Sequence, residues 1–290
     1  MNPYTEYPDP KRVRQLELTA LNLRKRMLTM IHTAKKGHTG GALSSTDIIT
    51  ALFFEVLNVS PEKANDLNRD VFILSKGHTL EPYLCALSAR GFFPDEMLDT
   101  FCKFGSMLLG HPNCRVPGVE INSGALGHGL SVACGAALAK KQDGSTSGAY
   151  VLLGDGELAE GSNWEAAMFA SNYKLDNLYA IIDRNHLQLS GPTEEVMQLE
   201  PLQEKWEAFG FHTVTIDGNN MASILKAFRD LREIKGMPKA IISNTIKGKG
   251  VSFMENDLSW HGAAPNDEQY AVAMAEFEQE YRRLTENECG

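Results

Sequence analysis

Residues 150–189 read YVLLGDGELAEGSNWEAAMFASNYKLDNLYAIIDRNHLQL, and the fold follows from this stretch. Tyr150 to Leu153 is a short apolar run with the length of a buried strand. Gly154-Asp155-Gly156 breaks it, and the spacing of Trp164, Ala167, Met168 and Ser171 predicts a helix over Glu157 to Tyr173. A second apolar run, Leu178 to Ile182, ends in Asp183-Arg184-Asn185. In a parallel sheet the two strand ends lie side by side, where α/β proteins bind ligands. There Asp155 offers a carboxylate, Asn185 an amide oxygen, and the chain beyond it backbone carbonyls. Such mixed oxygen ligands suit Mg²⁺, which completes its shell with water and phosphate oxygens. Gly154 and Gly156 let the backbone approach an anion, and the helix starting at Glu157 aims its free N–H groups the same way. Asp-Gly alone is also a common turn pair; the carboxamide at the neighbouring strand end is what favours a metal–diphosphate site.

Outward from this unit, the pattern alternates strands and helices. Helices are predicted over Arg12–Lys36, Asp47–Leu57 with Thr46 as its cap, Leu80–Arg90, Asp95–Phe104, Ser131–Lys140, Leu202–Phe209, Met221–Ile234 and Asp267–Leu284. Further strands are predicted over Val71–Leu74, Phe211–Ile216 and Ala240–Thr245. This alternation implies a doubly wound, mostly parallel sheet with helices on both faces. No linker or repeat divides residues 1–290, which read as one domain with a helical N-terminal extension after a Pro- and Tyr-rich arm. Arg24-Lys25-Arg26 reads as a solvated helix face rather than a phosphate site, and Asp217-Gly218-Asn219 as a simple connection.

The composition, 43% hydrophobic and 22% charged, is that of a globular protein. A net charge of −9 argues against nucleic acid as a partner. Five cysteines without Cys-x-x-Cys spacing fit a reduced compartment without a zinc site. Nothing reads as a signal peptide or membrane span, so the expected location is the cytoplasm.

Eight histidines occur, and five adjoin a glycine: His38, His78, His111, His128 and His261. Random placement would give about 1.4 such pairs, so the pattern points to polar rings on bending loops around a ligand. His32 and His212 lie in apolar surroundings by sequence. No His-x-x-x-His spacing supports zinc.

These loops, in this order, resemble the transketolase family. Gly-Asp-Gly followed about thirty residues later by Asn185 is similar to its thiamine diphosphate signature, with His186 where the family usually has a second Asn. Gly37-His38-Thr39-Gly40-Gly41-Ala42-Leu43 resembles GHPGAPLG, with Thr39 in place of Pro. Ser75-Lys76-Gly77-His78 resembles SxGH, Gly110-His111-Pro112 resembles GHP, and Ser123 to Gly129 looks like TGPLGQG with His128 in place of Gln. His261-Gly262-Ala263-Ala264-Pro265 looks like HGAPL.

The resemblance implies the thiamine-diphosphate fold, with Mg²⁺ held by Asp155, Asn185 and the carbonyl of Leu187, and Gly156 against the diphosphate; Gly154, Glu157 and Asn185 also line the cofactor. It implies that His78, Gly124, Ala125, Leu126 and His261 line the cofactor, and that His38, His111 and His261 face the sugar. Glu160 would sit at a subunit contact. The family's pyrimidine-binding and third domains are not matched. The expectation is therefore the N-terminal subunit of a split transketolase, moving a two-carbon ketol unit between sugars, with a separate C-terminal subunit in an α₂β₂ assembly. The alternatives are the alpha subunit of a 2-oxo acid dehydrogenase decarboxylating component and a non-catalytic thiamine-diphosphate-binding regulatory protein. Thr39 and His128 raise the expectation of an unusual donor, sulfonated or branched.

Overall fold

The computed structural model describes residues 8–286, so most of the expected N-terminal arm lies outside the described residues. Helix α1 (Pro10–Ala34) starts where Asp9 accepts from the Lys11 N–H, with Pro at the first position. It is followed by α2 (Thr39–Ala51), β1 (Val71–Leu74), α3 (Glu81–Ala89), α4 (Gly129–Gln142), β2 (Ala149–Gly154), α5 (Gly161–Asn172) and β3 (Leu178–Arg184). A small antiparallel hairpin, β4 (Leu187–Gln188) and β5 (Gly191–Pro192), leads through α6 (Thr193–Val196) and α7 (Leu202–Ala208) to β6 (His212–Asp217). Helix α8 (Met221–Arg232), β7 (Lys239–Asn244) and α9 (Asp267–Glu286) complete the described residues.

The sheet has the order β1-β2-β3-β7-β6, every pairing parallel. All seven residues of β3 are buried, as expected of a strand covered on both faces. One core holds α1, α2, α3, α8 and α9 against the sheet, with Phe53, Phe72, Tyr150 and Phe228 among its rings. The other is built by α4, α5 and α7 around small residues, Ala133, Ala137, Ala167 and Ala170, and around Trp206. The chain leaving β3 supplies Leu202 and Trp206 to this second core, whereas the chain leaving β7 supplies Val251, Met254 and Trp260 to the first. The two connections depart to opposite faces, which opens a crevice at the strand ends between β3 and β7.

Four expectations need correction. Thr46 does not start a helix: it lies fully buried inside α2, its hydroxyl donating to the Ala42 carbonyl at 2.9 Å. Because every residue of α2 is buried, the segment has no polar face from which its start could be read. Asp95–Phe104 forms only a 3-10 stretch over Asp95–Thr100. The helix expected from Glu157 is divided into a 3-10 turn, Gly156–Ala159, and α5, with extended Glu160 as the joint. Finally, Arg24 is not solvated. Both its terminal nitrogens donate to Asp47, at 2.8 and 2.7 Å, in a buried pair. Removing one partner of such a pair costs about 3–5 kcal/mol. Asn219, in the turn read as a plain connection, also donates to Asp47 at 2.9 Å and accepts from the Ile246 N–H at 2.8 Å.

Candidate active site

The parallel register sets Gly154 opposite Asp183, so Asp155 and Asn185 emerge side by side. Asp155 is 2% exposed. Its Oδ1 accepts from the Gly156 N–H at 2.8 Å, and its Oδ2 from the His186 N–H at 2.7 Å, from Arg184 at 3.2 Å and from Thr193 at 3.3 Å. Burial, and then the nearby Asp183, push its carboxyl above the usual range despite these donors. A divalent cation beside it would hold it ionised. Asn185 accepts from the Leu187 N–H through Oδ1, and the Leu187 carbonyl already receives a cation, the Lys247 ammonium, at 3.0 Å. One carboxylate, one amide oxygen and one carbonyl directed at a positive charge form an all-oxygen set that fits Mg²⁺. His186 sits at φ 64, in the left-handed region where Asn, Asp and His are enriched, which explains why His can stand in the family's second Asn position.

Gly156 is needed for space. A Cβ there would lie 2.9 Å from the Gln188 Cβ and 3.1 Å from the Gln188 side-chain oxygen, which is buried without a hydrogen-bond partner. Glu157, expected to line the cofactor, turns its carboxylate onto the neighbouring loops. Its Oε1 accepts from Ser75 and from the Gly127 N–H at 2.8 Å, and its Oε2 from the Gly154 N–H at 3.0 Å. The carboxylate thus braces three loops. Glu160 is exposed at the start of α5, its Cβ against Gly127.

Sequence reasoning missed the charges beneath the site. Asp183 is fully buried and accepts from Lys76, Ser44, Thr245 and Asn185. Burial raises its carboxyl, but Lys76 and the hydroxyl donors outweigh it and hold the group below the usual range. Lys247 joins this floor to the histidines, since its Nζ also lies 2.9 Å from His261 Nδ1. Burial, then Lys76, push it down to about 8. The signal was available in Ser75-Lys76-Gly77-His78 and in the Lys- and Gly-rich loop after β7, where each lysine sits among the motif residues.

The structure brings four histidines together. The His38 ring lies 5.2 Å from His78, 6.3 Å from His111 and 6.0 Å from His261, and His78 stacks on His261 at 5.4 Å. Burial, reinforced by the neighbouring lysines and rings, pushes His78 down to about 2 and His261 to about 4. Burial and then His111 lower His38 as well. These three rings are neutral at pH 7, able to donate and accept hydrogen bonds without charge. The loop Gly124, Ala125, Leu126 runs alongside: a Cβ on Gly77 would meet the Gly124 nitrogen at 2.9 Å, and one on Gly124 would meet His111 at 2.6 Å. Thr39 is fully buried and donates to the Ala263 carbonyl at 2.6 Å. It straps the His38 loop to the His261 loop and gives no reading on the donor sugar. His128 stands apart, exposed, 3.1 Å from the Leu126 carbonyl. His32 is not in apolar surroundings: it stacks on Tyr270 and meets Asp267 at 2.8 Å.

Residues 17–283 match the family described as transketolase, thiamine diphosphate binding domain. The chain is 47% identical, over 96% of its length and 99% of the relative's, to a subunit of the apulose-4-phosphate transketolase of Phocaeicola vulgatus. It is 42% identical to the 6-deoxy-6-sulfo-D-fructose transketolase subunit SqwG of a Clostridium species, over 89% of this chain and 94% of that one. Its fold matches the crystal structure of transketolase from Campylobacter jejuni with a TM-score of 0.85 at 29% identity, over 94% of this chain and 45% of the longer one.

Proposed function

The chain belongs to the transketolase thiamine diphosphate binding family, and from that premise we infer what its own residues contribute to moving a two-carbon ketol unit from a ketose to an aldose. Asp155, Asn185 and the Leu187 carbonyl hold Mg²⁺, and Gly154, Gly156 and the loop Gly124, Ala125, Leu126 receive the diphosphate and the cofactor's body. His78 and His261 line the cofactor. Thiamine diphosphate supplies the carbon–carbon chemistry once bound. His38, His111 and His261 bind the sugar hydroxyls and ketone oxygen. Because His38 and His261 are held neutral, each can take a proton from a hydroxyl and return it. The observation that carries this reading is the convergence of four histidines from four separate loops, joined through Lys247 to the metal-ligand set.

Enzymatic transketolase activity with a partner chain is what the relatives' names and coverage support. That partner carries the pyrimidine-binding domain, and the pair assembles as α₂β₂ with Glu160 at the contact. Among the described residues no helix is long and apolar enough to cross a membrane, and the working location is the cytoplasm. The donor is a ketose bearing a terminal phosphate or sulfonate, by analogy with the named relatives. The test is an assay of the chain, alone and mixed with the candidate partner, with thiamine diphosphate, Mg²⁺ and either apulose 4-phosphate or 6-deoxy-6-sulfo-D-fructose. Turnover is expected only in the mixture. Robust turnover by the lone chain would overturn the split assembly.

A further inference from the structure

Behind the histidine cluster lies a carboxyl that has no direct part in binding the sugar or the cofactor. Glu81 opens α3 and is 1% exposed. Its Oε1 accepts from the His38 N–H at 2.9 Å, while its Oε2 is buried without a hydrogen-bond partner. A buried carboxylate with one oxygen unpartnered is costly to keep, which marks the position as more than a packing choice. The approach is close. A Cβ on Gly37 would lie 2.8 Å from Glu81 Oε1 and 2.8 Å from Ile31, so only glycine lets the chain pass between α1 and this carboxyl. His38 has no capping side-chain bond at the start of α2, and its carbonyl accepts from the Ala42 N–H at 3.0 Å. With the N–H on Glu81, both backbone groups of His38 are fixed, and the imidazole is directed at His78, His111 and His261.

We propose that Glu81 is a positioning residue for ketol transfer: it holds the His38 backbone from behind, and the charge on its carboxylate sets how firmly. The proposal rests on the reading of His38 as a residue that faces the sugar. A charged acceptor binds an N–H roughly twice as strongly as a neutral one. Burial, opposed by the His38 N–H, its own N–H and Lys76, pushes the Glu81 carboxyl up to about 7. The groups acting on it from the packed elements are Lys76 on the β1–α3 connection, Cys85 on α3 itself and Cys102 beyond Thr100. Burial pushes both thiols upward, so neither contributes charge near neutrality. His78 at about 2 and His261 at about 4 titrate well below this window, and burial, then His111, lower His38 as well.

The sign is distinctive. A carboxyl raised from 4.5 to about 7 by folding lowers global stability as pH rises through that interval, while the grip on His38 tightens as the folded carboxyl ionises around the upper end of it. Activity and stability should therefore move in opposite directions with pH.

The test uses the full chain assembled with its partner chain, thiamine diphosphate and Mg²⁺, with apulose 4-phosphate as donor. Wild type should show an acid limb in kcat/KM with a midpoint near 7. Glu81→Gln keeps an acceptor but removes the charge. It should lose that limb and fall roughly tenfold in kcat/KM at pH 8, with cofactor affinity unchanged. Independently of any donor, the hydrogen-exchange protection of the His38 amide should rise between pH 6 and pH 8 in wild type and stay flat in Glu81→Gln. An unchanged limb together with an unchanged His38 protection profile would overturn the proposal. So would a loss of cofactor affinity and melting temperature in step with turnover, which would mean a structural role alone. His38→Ala runs in parallel: if it keeps wild-type turnover, the sugar-facing reading fails first. If His38→Ala is inactive while Glu81→Gln behaves as wild type, the positioning role fails by itself.

Discussion

The two walls of the site are made differently. The wall proposed to hold the diphosphate, Asp155 to Gly156 and Asn185 to Leu187, is short in sequence and rigid by register, because adjacent parallel strands deliver it. The histidine wall is assembled from loops that lie between α1 and α2, before α3, before α4 and after β7. Its geometry depends on ties such as Thr39 to Ala263 and Glu81 to His38. The first wall should therefore govern binding and the second turnover, with Lys247 coupling them.

The largest test of that division is Asp155→Ala. Loss of the carboxylate should weaken Mg²⁺-dependent thiamine diphosphate binding by more than the roughly 10–100-fold that follows loss of a group merely supporting a metal ligand, without unfolding the chain. Asn185→Ala should act in the same direction and less strongly. Calorimetric titration of the assembled protein measures both, and unchanged affinity in the Asp155 variant would misplace the metal.

Next come His38→Ala and His261→Ala. Each should lower kcat on the order of 10²-fold or more, the usual contribution of a positioned acid–base group, while cofactor affinity changes far less. His78→Ala should weaken both. Steady-state kinetics beside titration separates the cases, and near-normal turnover in both His38 and His261 variants would erase the contrast between the walls.

Lys247→Met removes the link. Both cofactor affinity and kcat should fall together, by roughly tenfold each for loss of charged hydrogen bonds. Calorimetric titration and initial rates of the assembled protein check both.

The smallest effect is expected from Thr39→Val, which keeps the shape and removes the strap to Ala263. Stability should fall by about 1 kcal/mol for one neutral hydrogen bond, and kcat only a few-fold, read by thermal melts and initial rates.

The same division explains what could be read from the sequence. Asp155 and Asn185 were legible because an apolar run followed by a polar break marks a strand end, and parallel neighbours need no further information to bring such ends together. The histidines were legible through their glycines, although nothing local states that His38 and His261, far apart in the chain, lie side by side. The resemblance supplied that. Asp183 and Lys76 were hidden because a charge buried by its partner looks, in sequence, like a charge at the surface. Glu81 was hidden because nothing local marks an acidic residue at a helix start as buried, and the depth of α2 because complete burial erases the periodicity that identifies a helix. The orientation of Glu157 was hidden because a carboxylate after Gly-Asp-Gly can face the ligand or turn back on the loops, and only the fold decides which.

Glu157 also carries a dynamic consequence. By accepting from Ser75, Gly127 and Gly154 at once, it makes three distant backbone segments open or stay closed as one cooperative unit. The amides of Gly127 and Gly154 should then exchange with solvent at a common free energy, although 27 residues separate them. A protein that keeps its cradle shut in this way meets the cofactor already ordered, so little conformational entropy remains to be lost on binding.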